Sequence, residues 1–562
     1  MFFSKTIVFP KKMPQYGFFT KKCGNFPFVP KTAVCYNKTE NWYLPKQRTG
    51  VIIKTVCGLA ASTKKKEDMT MAKRVLAFDF GASSGRAMIG EFDGKTMQVT
   101  EIHRFSNDTV CVGERMYWDV LRLFFEVKTA INMAVKTGPI DAIGIDTWGV
   151  DFGLLNKEGE LIANPNHYRD ERTVGIPEEV FNIISPEELY ALTGTQTMRI
   201  NTLYQLYYLA KYRPELLKMT DKILFMPDLF AYLLTGEKRA EATIASTSNF
   251  LDPKTKTFHT ALLEKLGIPT SILPEMIQPG ESYGVLSKAL CEEFDCAPIP
   301  VIAVCTHDTA SAVASAPAEG DFVYISCGTW SLFGTELAAP VINEKSAEIQ
   351  YTNEGGYRGT TRFLKNIMGL WLIQESRRQW HREGDKVSYA DLEKEALAAE
   401  PFKCFIDCDA PEFETAGDLP SRVKEFCRAT GQYVPQTRGE VMRCIYESLA
   451  MKYKLNYNAL CDISGKSFGQ INMLGGGIKD TLLCRLTASS TGVRVVAGPA
   501  EATVMGNIAV QLIALGDIKD WKEARAVIKA STPLAIYEPT DTAAWDKAYI
   551  EYSKYLGKSA LK

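Results

Sequence analysis

The chain has 562 residues, 46% hydrophobic and 23% charged, with a formal net charge of −1 at pH 7. This is the composition of a globular protein, and the length exceeds the roughly 250–300 residues that one core serves, so two large domains are expected. The charge balance excludes a polybasic or polyacidic binding protein, and the absence of a run of about 18 apolar residues excludes a spanning helix.

Residues 1–70 stand apart. They carry 13 Lys/Arg against 3 acids, with aromatics and prolines scattered without period. They read as a non-native or disordered extension, with a cleaved targeting segment as the alternative. The foldable chain then begins at residue 71. Val75-Leu76-Ala77-Phe78 is an unbroken apolar run ending at Asp79, the mark of a buried strand. Gly81 to Gly85 is a tight turn, Ala87 to Phe92 a returning strand, and Asp93-Gly94 a hairpin signal before a third strand over 97–105. Asp119 to Val135 has helical spacing, and Ile140 to Ile145 is another apolar strand. A second hairpin is expected over Leu154–Ile162, followed by a mainly helical stretch from Pro177 to Tyr232.

The pattern then returns. Phe322 to Ser326 is a buried strand, Cys327-Gly328-Thr329 a turn, and Leu332 to Leu337 the strand back. A long helix over 440–460 leads to a strand at 471–474 closed by Gly475-Gly476-Gly477. Helix 481–490, strand 493–497 and helix 501–515 complete the series. Both halves follow one α/β plan. The polar Pro/Gly stretch Pro317–Gly320 divides them into domains 71–317 and 318–562.

The motifs carry chemistry at the strand ends. In Asp79-Phe80-Gly81-Ala82-Ser83-Ser84-Gly85-Arg86, glycine lets backbone N–H groups approach an anion and serine adds donors. Arginine offers charge to phosphate, and Asp79 is placed to hold Mg²⁺ through water. Ser326-Cys327-Gly328-Thr329-Trp330-Ser331 repeats the arrangement in the second half. A plain hairpin would account for either turn alone, but their occurrence at matching places favours a nucleotide tail clamped from both sides. The three glycines at 475–477 would let a flat base lie against the backbone; a simple turn explains them equally well. No Walker-type loop is present, because Gly90 to Thr96 has one residue too few between its glycines. Asp308, after the apolar strand 301–304, reads either as a helix N-cap or as a base accepting a hydroxyl proton. Asp146-Thr147-Trp148-Gly149-Val150-Asp151 and Arg169–Arg172 admit both sugar-site and structural readings. Among fourteen cysteines and five histidines, Cys404 and Cys408 are spaced C-x3-C but no second Cys or His pair completes a zinc site, so no structural metal is expected. Unpaired cysteines in a long chain suit a reducing, cytoplasmic setting.

Taken together, the motifs at 79–86, 144–155, 168–173, 307–313, 327–332, 353–376 and 474–480 resemble the FGGY carbohydrate kinases, and within them the rhamnulokinases. The resemblance runs from Arg74 to about Leu515. It implies an α/β fold of two actin/hexokinase-like (ribonuclease H-like) ATPase domains around a cleft, the first on the sugar and phosphate side and the second on the nucleotide side. It implies ATP and Mg²⁺ as cofactors and transfer of the γ-phosphate to the 1-hydroxyl of L-rhamnulose, in a monomer or small homo-oligomer. By motif, Asp308 matches the catalytic base; Gly149, His307, Thr309 and Asn366 match sugar contacts. Ala82, Ser83, Ser84, Gly85, Arg86, Thr329, Gln374 and Gly476 match ATP contacts, and Asp79 the metal-associated acid. Ile478-Lys479-Asp480 departs from the family's usual residues after the glycines. Kinases for other ketoses or polyols, such as fuculose, xylulose or glycerol, are the alternative within the family. A non-catalytic actin-like nucleotide- or sugar-binding protein is the alternative outside it.

Overall fold

The computed structural model describes residues 72–559; the reading of residues 1–70 lies outside the described residues. Val75 to Phe80 is buried without interruption, as a strand covered on both faces must be. It belongs to β1 (Lys73–Phe80), the centre of a six-stranded sheet. The other strands are β2 (Ser84–Phe92), β3 (Met97–Ser106), β4 (Ala142–Thr147), β5 (Ser282–Val285) and β6 (Pro300–Ile302), in the order 5-6-4-1-2-3. β1 to β3 form an antiparallel meander, while β4 and β6 run parallel on the other side.

The second sheet repeats this plan. It comprises β7 (Val323–Cys327), β8 (Trp330–Leu337), β9 (Thr352–Gly355), β10 (Thr361–Met368), β11 (Gln470–Leu474), β12 (Arg494–Ala497) and β13 (Ala535–Tyr537). Its order is 9-10-8-7-11-12-13. Here β7, β8 and β10 make the meander, with β11 and β12 parallel beside β7. β9 is an added edge strand. The two-domain fold is thus one topology used twice, with the first turn of each meander, 81–83 and 328–329, at the equivalent place.

Seven helices matter for the site: α1 (Val120–Lys136), α2 (Asp308–Ala314), α3 (Trp371–Arg382), α4 (Arg438–Ser464), α5 (Thr481–Thr491), α6 (Ala502–Ala514) and α7 (Trp521–Ser531). α1 starts where Asp119 accepts the Arg122 N–H, and it buries Leu123, Val127, Ile131 and Ala134 on one face. α4 is longer than its apolar pattern implied. Thr437 and Glu440 form a reciprocal capping box at one end, and Gly465 closes the other at φ 65°.

Two expectations shift. β4 runs on through Asp146 and Thr147, because these residues pair with Asp79 and Phe80 of β1; sheet pairing overrides their polar character. The 154–162 turn forms, but its ladder stops after the single bridge Leu155–Leu161. Residues 152–155 instead pair with a strand at Lys222–Phe225 inside the stretch expected to be helical.

Part of the chain's last third does not stay in its own half. α6 and α7 pack on the first sheet, where Val504, Ile508, Leu512, Val527 and Ile528 close a core with Val75, Ala77, Met88, Phe92, Met97 and Ala142. Glycines make that approach possible. A Cβ on Gly90 would lie 2.6 Å from Ile508, and one on Gly144 would lie 2.5 Å from Asn507 Oδ1. Asn507 Nδ2 donates to Asp146 Oδ2 (2.6 Å), and Gln511 Nε2 donates to the Leu76 carbonyl (3.3 Å). Among the described residues no helix is long and apolar enough to cross a membrane.

Candidate active site

The ends of β1, β4 and β7, the start of α2 and the glycines after β11 surround a cleft of about 360 Å³. Its wall includes Asp79, Ala82, Arg86, Gly149, His307, Asp308, Thr309, Thr329, Asn366 and Gly476. These are ten of the residues singled out from the sequence. Four others are not in the wall. Gly85 pairs with Phe80 and lies against Phe105, whose ring a Cβ would meet at 2.2 Å. Ser83 and Ser84 spend their carbonyls on Asn107 and Gly81 N–H groups, fixing the turn. Gln374, on α3, reaches the cleft only through Thr329 Oγ1, 3.5 Å from its Oε1.

The second turn is held from β10 and α3. Gly369 and Trp371 donate to the Thr329 carbonyl, and Leu370 donates to that of Gly328. Gly369 lies so close to β8 that a Cβ would meet Ser331 Oγ at 2.5 Å. Gly475 adopts φ 83°, and a Cβ on Gly477 would strike the Cys327 carbonyl at 2.5 Å. The glycine run therefore packs edge to edge with the phosphate-type turn, which a side chain would prevent.

Acidic groups gather at the strand ends. Asp79 and Asp146 are register partners on β1 and β4. Arg86 bridges Asp79 Oδ2 and Glu501 Oε2, both at 2.5 Å. Burial opposes the Arg86 cation, but the two carboxylates outweigh it and raise its pKa. Asp146 is buried, and its Oδ1 has no hydrogen-bond partner. Burial, then the charge of Asp79, push Asp146 well above the usual carboxylate range.

Asp308 opens α2. Its Oδ1 accepts the Thr309 N–H at 2.5 Å and the Thr309 hydroxyl at 3.2 Å. Oδ2 takes no protein partner among the described residues. The side chain is 31% accessible, through the cleft, and is otherwise enclosed by protein. Enclosure raises its pKa and Asp79 adds to the rise, against the opposing pull of His307.

Sequence reasoning gave no role to the groups behind this row. Glu241 is fully buried and binds the backbone and hydroxyls of Thr243 and Thr306, so it anchors the segment that carries His307 and Asp308. Glu354 and Arg362, on β9 and β10, form a buried ion pair beside His307. Gln196 Oε1 accepts from both N–H groups of Asn366 at 3.2 Å. Asp151 lies behind Trp148, where both Trp118 and Trp148 donate their indole N–H to its Oδ2. Burial raises it to about 6. Trp148 thus serves both readings, lining the cleft and packing against Trp118 in a tilted pair with ring centroids 4.1 Å apart. In the 169–172 cluster, Asp170 accepts the Met116 and Arg172 N–H groups, while Arg169 lies over the Trp371 ring at 5.0 Å.

Away from the cleft, Cys404 does not meet Cys408. It meets Cys427 and Cys444, with their ligand atoms within 4.8 Å of one another in the apolar core. Three donors are one short of a closed structural zinc site, and no spacing in the sequence foretells the cluster.

Comparison with known proteins bears on this arrangement. Residues 74–315 match the N-terminal domain and residues 323–515 the C-terminal domain of the FGGY family of carbohydrate kinases. The chain is 42% identical to a rhamnulokinase of Bacteroides thetaiotaomicron over 484 residues, covering 86% of this chain and 99% of the relative. It is 38% identical to a rhamnulokinase of Bacillus subtilis, covering 83% and 95%. Among solved structures, a ligand-bound xylulose kinase from Lactobacillus acidophilus superposes with a TM-score of 0.72 at 18% identity, over 86% of this chain and 97% of that one. Plasmodium falciparum glycerol kinase with ADP gives 0.71 at 14% identity, over 88% and 99%. These two likenesses are of fold.

Proposed function

The chain belongs to the FGGY family of carbohydrate kinases, and from that footing we propose that it transfers the γ-phosphate of ATP to the 1-hydroxyl of L-rhamnulose. The observation that carries the reading is a half-satisfied carboxylate, Asp308, facing a cleft walled by two phosphate-type turns. With Thr309 occupying Oδ1, Oδ2 is free to accept the sugar hydroxyl's proton as its oxygen attacks phosphorus in line. The turns at 81–83 and 328–329 and Gly476 offer backbone donors to the phosphates and the nucleotide. Gly149, His307, Thr309 and Asn366 stand on the sugar side.

The chemistry of the donors fits Mg²⁺, which takes carboxylate oxygen and keeps its waters. Asp79 would hold it through water, and the orphaned Oδ1 of Asp146 lies in the neighbouring strand. When bound with ATP, the ion supplies charge neutralisation along the phosphates. We assign domain 71–317 to sugar and phosphate and domain 318–562 to the nucleotide, with α6 and α7 crossing over to brace the first. The eleven cysteines among the described residues are free thiols, which suits a cytoplasmic enzyme.

The test is ADP release with ATP, Mg²⁺ and a panel of ketoses and polyols. Strong release with L-rhamnulose, lost by about 10²–10⁴-fold in Asp308→Asn with ATP binding retained, is the expected result. Turnover confined to another sugar would move the substrate, and no sugar-dependent release would sink the kinase reading.

A further inference from the structure

His307 is held from both halves of the molecule. Its backbone N–H donates to Thr243 Oγ1 at 3.2 Å, tying it to the Glu241 anchor. Its ring meets the second sheet. Nδ1 lies 3.0 Å from Arg362 Nη2, and Nε2 lies 3.4 Å from Asp308 Oδ1 at the cleft wall. Arg362 is 0% exposed; Nε donates to the Gly355 carbonyl and Nη2 to Glu354 Oε2, while Nη1 has no partner. A buried guanidinium with an orphaned donor is costly to folding, and it touches the cleft wall through His307 and Glu354.

We infer that Arg362 is a positioning residue that fixes His307 as the Nε2–H tautomer, so that the ring presents a donor to the sugar beside the catalytic base. Guanidinium has donors only. The ring nitrogen it touches must therefore offer a lone pair, which leaves the ring proton on Nε2. Glu354 Oε2 lies 3.3 Å from Nδ1 and would favour the opposite tautomer. It already accepts from Arg362 Nη2 at the shorter 2.8 Å, and the two hydrogens on Nη2 serve Glu354 and His307 in turn. Without the guanidinium, Glu354 faces Nδ1 directly and draws the proton there. Nε2 then turns a lone pair toward Asp308 and the sugar, replacing a donor with a repulsive acceptor. The effect on the sugar rests on the kinase reading above; the tautomer does not.

The tautomer is measured in the full-length protein without substrates. The chain has five histidines, so ¹⁵N-histidine labelling with long-range ¹H–¹⁵N correlation gives a readable spectrum, and His307→Gln assigns the signal. The expected result is a pyridine-like Nδ1 and a protonated Nε2 in wild type. In Arg362→Met the pattern reverses and the KM for whichever sugar is turned over rises about tenfold, the size of one lost oriented hydrogen bond, with the KM for ATP unchanged. Arg362→Lys, which keeps a donor, restores the wild-type pattern and most of the affinity. A protonated Nδ1 in wild type overturns the inference, and so does a reversal that leaves the sugar KM unmoved. If Arg362→Met does not fold, the wild-type spectrum and the Lys variant decide. A protein with the stated tautomer that phosphorylates no sugar would instead remove the functional reading alone.

Discussion

As the proposed base, Asp308 has one oxygen already committed, and its surroundings fix when it can work. A base must be ionised, so activity is present above its folded pKa and lost as pH falls through it. Enclosure in the protein and the charge of Asp79 raise that pKa. The acid limb of kcat/KM for the sugar should therefore lie above the ordinary aspartate value of about 3.9; a limb at that value would remove Asp308 from the role. Asp151 gives a second titration with another readout. Its pKa is raised from 3.8 to about 6 in the folded protein, so between these values the folded state holds the proton that the unfolded state releases. Its contribution to stability is full below the lower value and declines as pH rises toward the upper one. Replacing Asp151 with Asn should flatten that part of the stability–pH curve in denaturant melts. Asp308 stands out because it follows an apolar strand, but only the motif around it, not its place in the chain, chooses the base reading over the N-cap one. The sequence hid the pairing of Glu354 and Arg362, which sit among Thr, Asn and Gly or beside a single Phe and read as polar strand residues. Their burial is imposed by His307, about 50 residues away in the chain, and no local pattern reports it.

Among the elements, the turns were read most directly. Apolar runs ending in Asp or Ser-Cys-Gly forced a strand and then a sharp return; the first meander and the first two strands of the second formed where expected, while β10, the second meander's third strand, was not foreseen. Less legible was what braces the second turn. Gly369 follows β10 and packs on β8 at a distance that excludes a methyl group. Gly369→Ala should push β10 and the start of α3 away from Thr329, at a cost of about 1–3 kcal/mol. Thermal melts should show the loss, and the KM for ATP should rise more than that for the sugar. An unchanged ATP KM would mean that the 328–329 turn does not hold the nucleotide. The end of β4 was read too short for the same kind of reason: Asp146 and Thr147 look like loop residues until β1 lies beside them.

At the scale of the whole molecule, the duplication was visible in the sequence and the crossover was not. Periodicity at 501–515 announced a helix but could not name its partner, because a buried face looks alike whichever sheet it meets. Val75, Ala77, Met88, Phe92 and Ala142 depend on α6 and α7 for cover. Residues 71–317 produced alone should expose that face and aggregate, and co-production with 318–562 should recover soluble material. A soluble, cooperatively melting 71–317 fragment would show that the crossover is dispensable.

The same crossover sets a schedule for synthesis. The strands of the first sheet leave the ribosome early, but the helices that seal one of its faces lie at 502–531, roughly two hundred residues after that domain's last strand. At about 5–20 residues per second the wait is on the order of 10–40 s. Throughout it, an apolar sheet face made from the first-translated part of the fold stands open to chaperones and to neighbouring nascent chains. A domain that comes first in the sequence is, in this protein, among the last to be finished.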